Sequence, residues 1–323
     1  MNRSVKYIMK VICTGLVLSF VMGIAGCGSL GAGYQKISEL ERIAGIENAR
    51  YDVRFSSFDG SKLKNITHSS FSYTKEETAV QKKEVQNFLS LKGKKVEDWT
   101  KDKITYPVYA LTILPVTFTA GRYVPGETVV WSNGYLITTS GDVYKCNPDF
   151  KPFMKEDEGS HITEGEFKSI SSIKIFRPLA YAGQKWNKDL LRPSSTDEKE
   201  ILSGIEMTFD GMTGDDVYQF VNVTLKNKTQ TDWHYAIAGV AVRVEVQVDG
   251  QWYFINYAPN VDITYVNVLD FKEVVRAGSE DHLKLGIGHY GKLPPGEYRI
   301  VISGGSVEER RSVSAEFGIK EQV

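Results

Sequence analysis

Val240, Val242, Val244, Val246 and Val248 alternate without a break with Ala241, Arg243, Glu245 and Gln247. A period of two places the valines on one face of a strand and the other side chains on the opposite face. One face is therefore expected to be buried and the other wet. Apolar runs of the same kind recur over 205–209, 217–225, 236–248, 252–255, 263–268, 282–285, 298–302 and 313–319. Turn chemistry separates them at Asp210-Gly211, Asn227-Lys228, Asp249-Gly250, Ala258-Pro259-Asn260, Ala277-Gly278 and Pro294-Pro295-Gly296. Short strands at that rhythm predict an antiparallel β-sandwich over residues 204–323.

The first half is patterned differently. Ile37, Leu40 and Ala44 fall at helical spacing beside Ile43, and Gly45 stops that short helix. Tyr51, Val53 and Phe55 alternate as a strand, and Asp59-Gly60 turns the chain. Thr74 and Glu77 form a capping box for a helix whose apolar face carries Val85, Phe88 and Leu89. Gly93 is expected to end it, with Lys92, Lys94 and Lys95 as its solvated positive end.

Residues 104–119 read as a strand that Pro107 and Pro115 push towards a sheet edge or a bulge. Asn133-Gly134 between Val129-Val130-Trp131 and Tyr135-Leu136-Ile137 is a hairpin signal, because both turn residues accept positive φ. With the turn Ser140-Gly141-Asp142, residues 104–146 form an antiparallel meander. Thr163 and Glu166 predict a further helix start ahead of Phe167 and Ile170, while Ile173 and Ile175 fit helix or strand. Residues 47–190 are thus expected to be a smaller α+β domain, and the polar, aperiodic stretch 191–203 a linker. The fold class is mainly β.

The N-terminus carries Arg3, Lys6 and Lys10 and no acid, followed by an uncharged apolar run to Ile24. A basic start, an apolar run of about 7–15 residues and a small-residue site describe an export signal, and the run is shorter than the ~20 residues that span a bilayer. Ile24-Ala25-Gly26-Cys27 resembles the lipobox of bacterial lipoproteins. The resemblance implies a diacylglyceryl thioether on Cys27, removal of residues 1–26 as signal peptide, and a lipidated tether over 27–46. Paired acyl chains hold a protein stably on a membrane where one is marginal. The alternative is an uncleaved membrane helix, against which Gly26, Gly28, Gly31 and Gly33 argue. Either way the remainder lies on the extracytoplasmic face of the cell membrane.

Loss of residues 1–26 removes three of the 39 Lys and Arg and none of the 40 Asp and Glu, taking the formal charge from −1 to −4. A mildly acidic surface does not suit nucleic acid, which requires a basic patch. Of three cysteines, Cys13 lies in the signal and Cys27 would be lipidated, so Cys146 is left alone and no internal disulfide is available. The chain has no zinc, phosphate-loop or nucleophile-elbow motif. Ser-x-x-Lys occurs at Ser61–Lys64 and Ser171–Lys174, without the Ser-Asp-Asn and Lys-Thr-Gly partners that penicillin-binding enzymes need. His68, His161, His234, His282 and His289 are scattered.

Trp233-His234-Tyr235 reads either as a stacking platform for sugar or peptide or as aromatics closing the end of a sandwich. The run Asp210 to Asp216 offers oxygens but misses the calcium-loop spacing. Asn65, Asn222 and Asn227 begin glycosylation sequons. Trp252 is expected in the sandwich core. No catalytic, cofactor-binding or metal-binding residue is assigned; Cys27 is the single site residue, for lipid.

Leu225-Lys226-Asn227-Lys228-Thr229, Gly250-Gln251-Trp252-Tyr253, the run Leu293-Pro294-Pro295-Gly296-Glu297-Tyr298-Arg299, and Ala315-Glu316-Phe317 follow one another. Over about residues 204–320 this resembles the bacterial immunoglobulin-like domain of Gram-positive surface proteins. The resemblance implies an extracellular immunoglobulin-like β-sandwich and carries neither a ligand nor catalytic residues. The expected function is a membrane-anchored lipoprotein with a non-catalytic binding or spacer module, its ligand a cell-wall, protein or carbohydrate partner. The alternative is an envelope-associated enzyme with its site in residues 47–190, which would need a cleft holding carboxylates or Cys146 with shifted pKa. A solute-binding or stress-sensing lipoprotein ranks below both, because the repeated strand–helix alternation of parallel-sheet binding proteins is missing.

Overall fold

Alternating apolar residues build β2 (Arg50–Phe58), and Asp59 closes its turn into β3 (Lys62–His68) by accepting the backbone N–H groups of Ser61 and Lys62 at 2.9 and 2.7 Å. This hairpin belongs to a large antiparallel sheet. The structure is a computed structural model that describes residues 33–46, 49–68, 83–116, 124–156, 160–195, 203–214, 219–235, 242–261, 274–304 and 311–320. Residues 1–26, Cys27, the Thr74–Glu77 capping box, the strand expected over 263–268, and Asp215 and Asp216 lie outside them. Met1–Gln35 contributes to the described chain the start of β1 (Tyr34–Lys36). The compact unit Lys36–Val323 holds everything that follows.

The meander is as expected. β5 (Val108–Val116), β6 (Glu127–Ser132), β7 (Tyr135–Ile137) and β8 (Val143–Lys145) pair in succession, and within this unit the strand order is β4-β8-β7-β6-β5-β2-β3-β9, with β4 (Lys92–Val96) and β9 (His161–Glu166) outside the meander. Asn133 and Gly134 take φ of 49° and 81°, the positive values that a two-residue hairpin turn demands.

Both faces of the sheet are covered. On one lie Leu40 and Ile43 of α1 (Ser38–Ala44), Val85, Phe88 and Leu89 of a helix over 83–89, and Phe150 and Phe153. On the other lie Ile170, Ile173, Phe176 and Leu179 from two 3₁₀ segments, Ile170–Ser172 and Lys174–Tyr181. A strand buried on both faces reads as a near-continuous apolar run, which is how Val108 to Ile113 reads.

Three expectations in this half are corrected. β5 is central, between β2 and β6. Pro107 precedes the strand, and Pro115 lies beyond Ile113, the last residue paired with β6, so neither proline interrupts that ladder. Lys92, Lys94 and Lys95 lie on strand β4 rather than a helix end, with Lys95 2.9 Å from Asp142. Gly93 serves close strand approach: a Cβ there would stand 2.7 Å from the Cβ of Tyr144. Thr163 and Glu166 cap no helix, because 161–166 is the edge strand β9 on β3, which its mostly exposed polar side chains suit.

The second half is a sandwich of antiparallel sheets. One has the order β10-β15-β14-β18-β19 and the other β11-β12-β17. The first comprises β10 (Arg192–Pro193), β14 (Val242–Val248), β15 (Gln251–Phe254), β18 (Gly296–Gly304) and β19 (Arg311–Ile319). The second comprises β11 (Ile205–Gly214), β12 (Gln219–Asn227) and β17 (Glu280–Gly286). They share one core, with Val221, Val223, Leu225 and Leu285 on one side and Val244, Val246, Tyr298, Ile300 and Phe317 on the other. Asp249 and Gly250, at φ 51° and 78°, make the tight β14–β15 turn.

Departures here are local. Asp210-Gly211 makes a β-bulge inside β11 rather than a turn, with Gly211 at φ 132°. Arg192 and Pro193, within the stretch expected to be a linker, pair with Phe254 and Tyr253. The outer face of β14 is not wholly wet: Glu245 is fully buried and Arg299 donates to it through Nε at 2.8 Å. Trp252 is on that outer face too, 4.5 Å from the Arg299 guanidinium, and Tyr253 supplies the core aromatic in its place.

Candidate functional site

The features singled out in the sequence do not converge. Cys27 lies outside the described residues. Cys146 is buried, and desolvation pushes its thiol up to about 12, so it is not a nucleophile in the folded state. His161 and His234 are exposed on strands, and the His282 Nδ1 shares a hydrogen bond with Thr224 Oγ1 at 2.8 Å. His68 ends β3, its side chain outside the description. His289 is buried against Tyr257 and Tyr290, and desolvation pulls it down to about 4, so it is neutral at pH 7.

Trp233 and Tyr235 stack at 5.2 Å, both buried, and close an end of the sandwich where β13 (Trp233–His234) pairs with β16 (Val274–Val275). The Ser61–Lys64 spacing falls on a turn and strand, which separates the two side chains differently from one helical turn. Asn227 is buried and structural: its Nδ2 donates to the carbonyls of Thr231 and Val275 at 2.9 and 3.0 Å. Asp210 accepts from Thr224 Oγ1 at 2.7 Å. Among the described residues no three His, Cys, Asp or Glu side chains are grouped to hold a metal ion.

What the fold does assemble is a cavity of about 300 Å³ to which α1, the start of β6, the turn after β7 and the loops near Asn260 and Tyr290 all contribute. Its floor is Glu127, 2% exposed at the first position of β6. Glu127 Oε1 accepts the Thr139 backbone N–H at 2.7 Å and the Thr139 hydroxyl. Glu127 Oε2 takes no hydrogen bond among the described residues, and Arg42 Nη2 stands 3.8 Å from it. Burial is the main cause that raises this carboxyl to about 7; Thr139 and Arg42 oppose the rise and Glu39 adds to it.

Glu39 and Arg42 both come from α1, where a spacing of three puts them on one side of the helix. Glu39 Oε1 accepts from Thr138 Oγ1 at 2.9 Å and from the Ser140 hydroxyl. Arg42 donates to the carbonyls of Pro125 and Gly126 at 3.1 and 3.2 Å. Gly126 and Asn260 are joined by a pair of bonds: the Gly126 N–H donates to the Asn260 carbonyl at 3.2 Å, and Asn260 Nδ2 returns to the Gly126 carbonyl at 3.0 Å. A Cβ on Gly126 would stand 2.4 Å from the Ile113 carbonyl, so glycine is needed there. Pro125, Ala258 and Val261 give the wall its apolar surface, and Lys292 stands exposed at the rim.

Behind the cavity Tyr181 donates its hydroxyl to the Thr139 carbonyl. Arg177 lies 5.4 Å from the Tyr181 ring, and one of its nitrogens donates to the Tyr290 carbonyl. Among the described residues the Arg177 Nε and Nη2 are buried without a hydrogen-bond partner, and desolvation lowers its pKa.

Sequence reading did not find this cavity, because its parts are 39, 127, 139, 181, 260 and 290. The one local hint is Gly126-Glu127 at the head of a buried strand, where a charge is out of place. A comparison with curated proteins finds no match to the chain. Residues 202–318 match the family model of the bacterial Ig-like domain, the same residues that build the two-sheet sandwich from β11 onward, so that a mainly β chain carries in its C-terminal part a domain of the kind associated with bacterial surfaces.

Proposed function

We propose that this chain is an extracytoplasmic lipoprotein, held on the cell membrane through acyl chains on Cys27, in which the Ig-like sandwich is a non-catalytic module and the cavity at Glu127 is a ligand-binding site. The observation that carries the reading is the pairing of a lipobox-like Ile24-Ala25-Gly26-Cys27 with a surface-type Ig-like domain in one chain. Burial of Cys146 and His289 supports the non-catalytic part, since it removes two side chains that could have served as nucleophile or base. No helix of the described residues is long and apolar enough to cross a membrane.

The test is metabolic labelling with palmitate and membrane fractionation of the wild type and of Cys27→Ala. The variant should lose the label and leave the membrane fraction. A Cys27→Ala protein that still sediments with membranes would sink the anchor. Hydrolysis of a wall or protein substrate by the purified protein, abolished by one point substitution, would sink the non-catalytic reading.

One observation favours the enzyme reading. Glu127, raised to about 7 beside Glu39, is the kind of carboxylate pair in which one member serves as a general acid. Its substitution is therefore the first to make in any activity assay.

A further inference from the structure

We propose that the Glu127 cavity binds a small zwitterion of the free amino-acid class, its ammonium group on Glu127 and Glu39 and its carboxylate towards Arg42 and Lys292. This rests on the binding reading of the cavity given above.

Charge balance is the first ground. The cavity is lined by two carboxylates, Glu39 and Glu127, and two cations, Arg42 and Lys292, with Arg42 Nη2 3.8 Å from Glu127 Oε2, so a wall of mixed sign suits a ligand that carries both charges better than a ligand of one. The second is the state of Glu127. Its side chain is almost wholly buried, Oε1 is filled by Thr139, and Oε2 accepts no hydrogen bond among the described residues. Glu127 lines the cavity, so Oε2 is the oxygen left to accept an N–H donor that enters it, a charge-assisted bond. The Gly126 carbonyl beside it already accepts from Arg42 and Asn260, which directs the incoming donor to the carboxylate.

Size is the third. About 300 Å³ stands at the lower end of the range for small-molecule pockets, which suits a ligand of amino-acid size. Pro125, Ala258 and Val261 would take the apolar side chain.

Binding should depend on pH through Glu127. Glu39 and Arg42 from α1, Tyr181 from the 3₁₀ segment, and Tyr290 and Lys292 from the far loop face the same space. Burial pushes both tyrosines upward, Tyr181 to about 12, so neither ionises below pH 8. Affinity should therefore fall as the pH is lowered through about 7, where Glu127 gains its proton.

The experiment is calorimetric titration of the full chain in detergent with three matched probes: L-leucine, 4-methylpentanoate, which lacks its ammonium, and 3-methylbutylamine, which lacks its carboxylate. L-Leucine should bind at least tenfold tighter than either. Glu127→Gln should weaken it tenfold or more, and Lys292→Ala, at the exposed rim, should weaken it without loss of thermal stability. Equal binding of the three probes, tighter binding of 4-methylpentanoate, or L-leucine binding untouched by Glu127→Gln would overturn the zwitterion assignment and leave the cavity a binding site. If none binds at roughly 10 mM, the binding reading itself falls with it.

Discussion

Glu39 and Glu127 are held by three consecutive hydroxyl residues: Thr138 and Ser140 bond Glu39, and Thr139 between them bonds Glu127. Thr139 and Ser140 lie in the turn that follows β7, which the Gly141 N–H closes on the Thr138 carbonyl at 2.9 Å. One short turn thereby fixes two carboxylates from distant elements. Burial outweighs the Thr139 bonds at Glu127 and raises its carboxyl, and that has a consequence for stability.

Glu127 titrates near 7 in the folded chain against an ordinary 4.5. A folded pKa raised above the unfolded one means that the native state binds the extra proton between those values. The stability it confers is present below about 4.5 and is lost as the pH rises through 7. Glu127→Gln removes that titration and keeps an acceptor for the Thr139 N–H. The variant should gain on the wild type as the pH rises from 5 to 8, by about 3 kcal/mol at most. Urea unfolding across that range measures it. Parallel curves for the two proteins would show that the carboxyl is not perturbed.

Cys146 gives a prediction about reactivity. Its thiol is buried and held near 12, far above the solvent value, and its backbone N–H is tied to the Gly134 carbonyl at 3.0 Å. An alkylating reagent at pH 8 should leave it unmodified in the native protein and modify it at an ordinary rate in denaturant. Mass spectrometry reads the difference. Rapid native labelling would place this thiol at an accessible surface.

How far the sequence disclosed these features depended on how local each was. The Asn133-Gly134 and Asp249-Gly250 turns were legible because two adjacent residues carry the whole signal. The apolar faces of α1 and of the helix over 83–89 were legible from spacing alone. β9 was not, because an edge strand with both faces largely wet, His161 to Glu166, has no apolar period to detect. The 3₁₀ segment Lys174–Tyr181 was ambiguous because its period of three lies between those of helix and strand and Pro178 interrupts it. Glu245 was read as solvated because alternation tells which face a residue is on and not whether that face is later covered. The cavity was invisible since no two of its charged residues except Glu39 and Arg42 are near in sequence.

Glu245 and Arg299 provide the third prediction. Both are buried on the outer face of their sheet, 2.6 and 2.8 Å apart through two nitrogens, with Ser194 donating to the other carboxylate oxygen at 2.8 Å and Trp252 over the guanidinium. Breaking a buried pair strands a charge, so Glu245→Ala should cost about 3–5 kcal/mol. Glu245→Leu with Arg299→Met removes both charges and should recover most of that loss. A urea-based double-substitution cycle tests it. A double variant as unstable as the single would mean that packing rather than charge is at stake.

Gly93 separates the strand found here from the helix end that its neighbourhood of lysines suggests. β4 pairs with β8 through Lys94–Lys145, Lys95–Tyr144 and Val96–Val143, and the Tyr144 Cβ stands 2.7 Å from where a Gly93 Cβ would be. Atoms this close to both backbones cannot rotate away, so Gly93→Ala must push the strands apart. The expected cost is about 1–3 kcal/mol, with faster amide exchange at Lys94 to Val96. Gly250→Ala is the reference: its φ is 78° and nothing lies within 4 Å of the added carbon, so it reports backbone strain alone, about 1 kcal/mol. On an exposed helix end Gly93→Ala would be no worse than that reference, and its exchange effect would not follow the β4–β8 ladder.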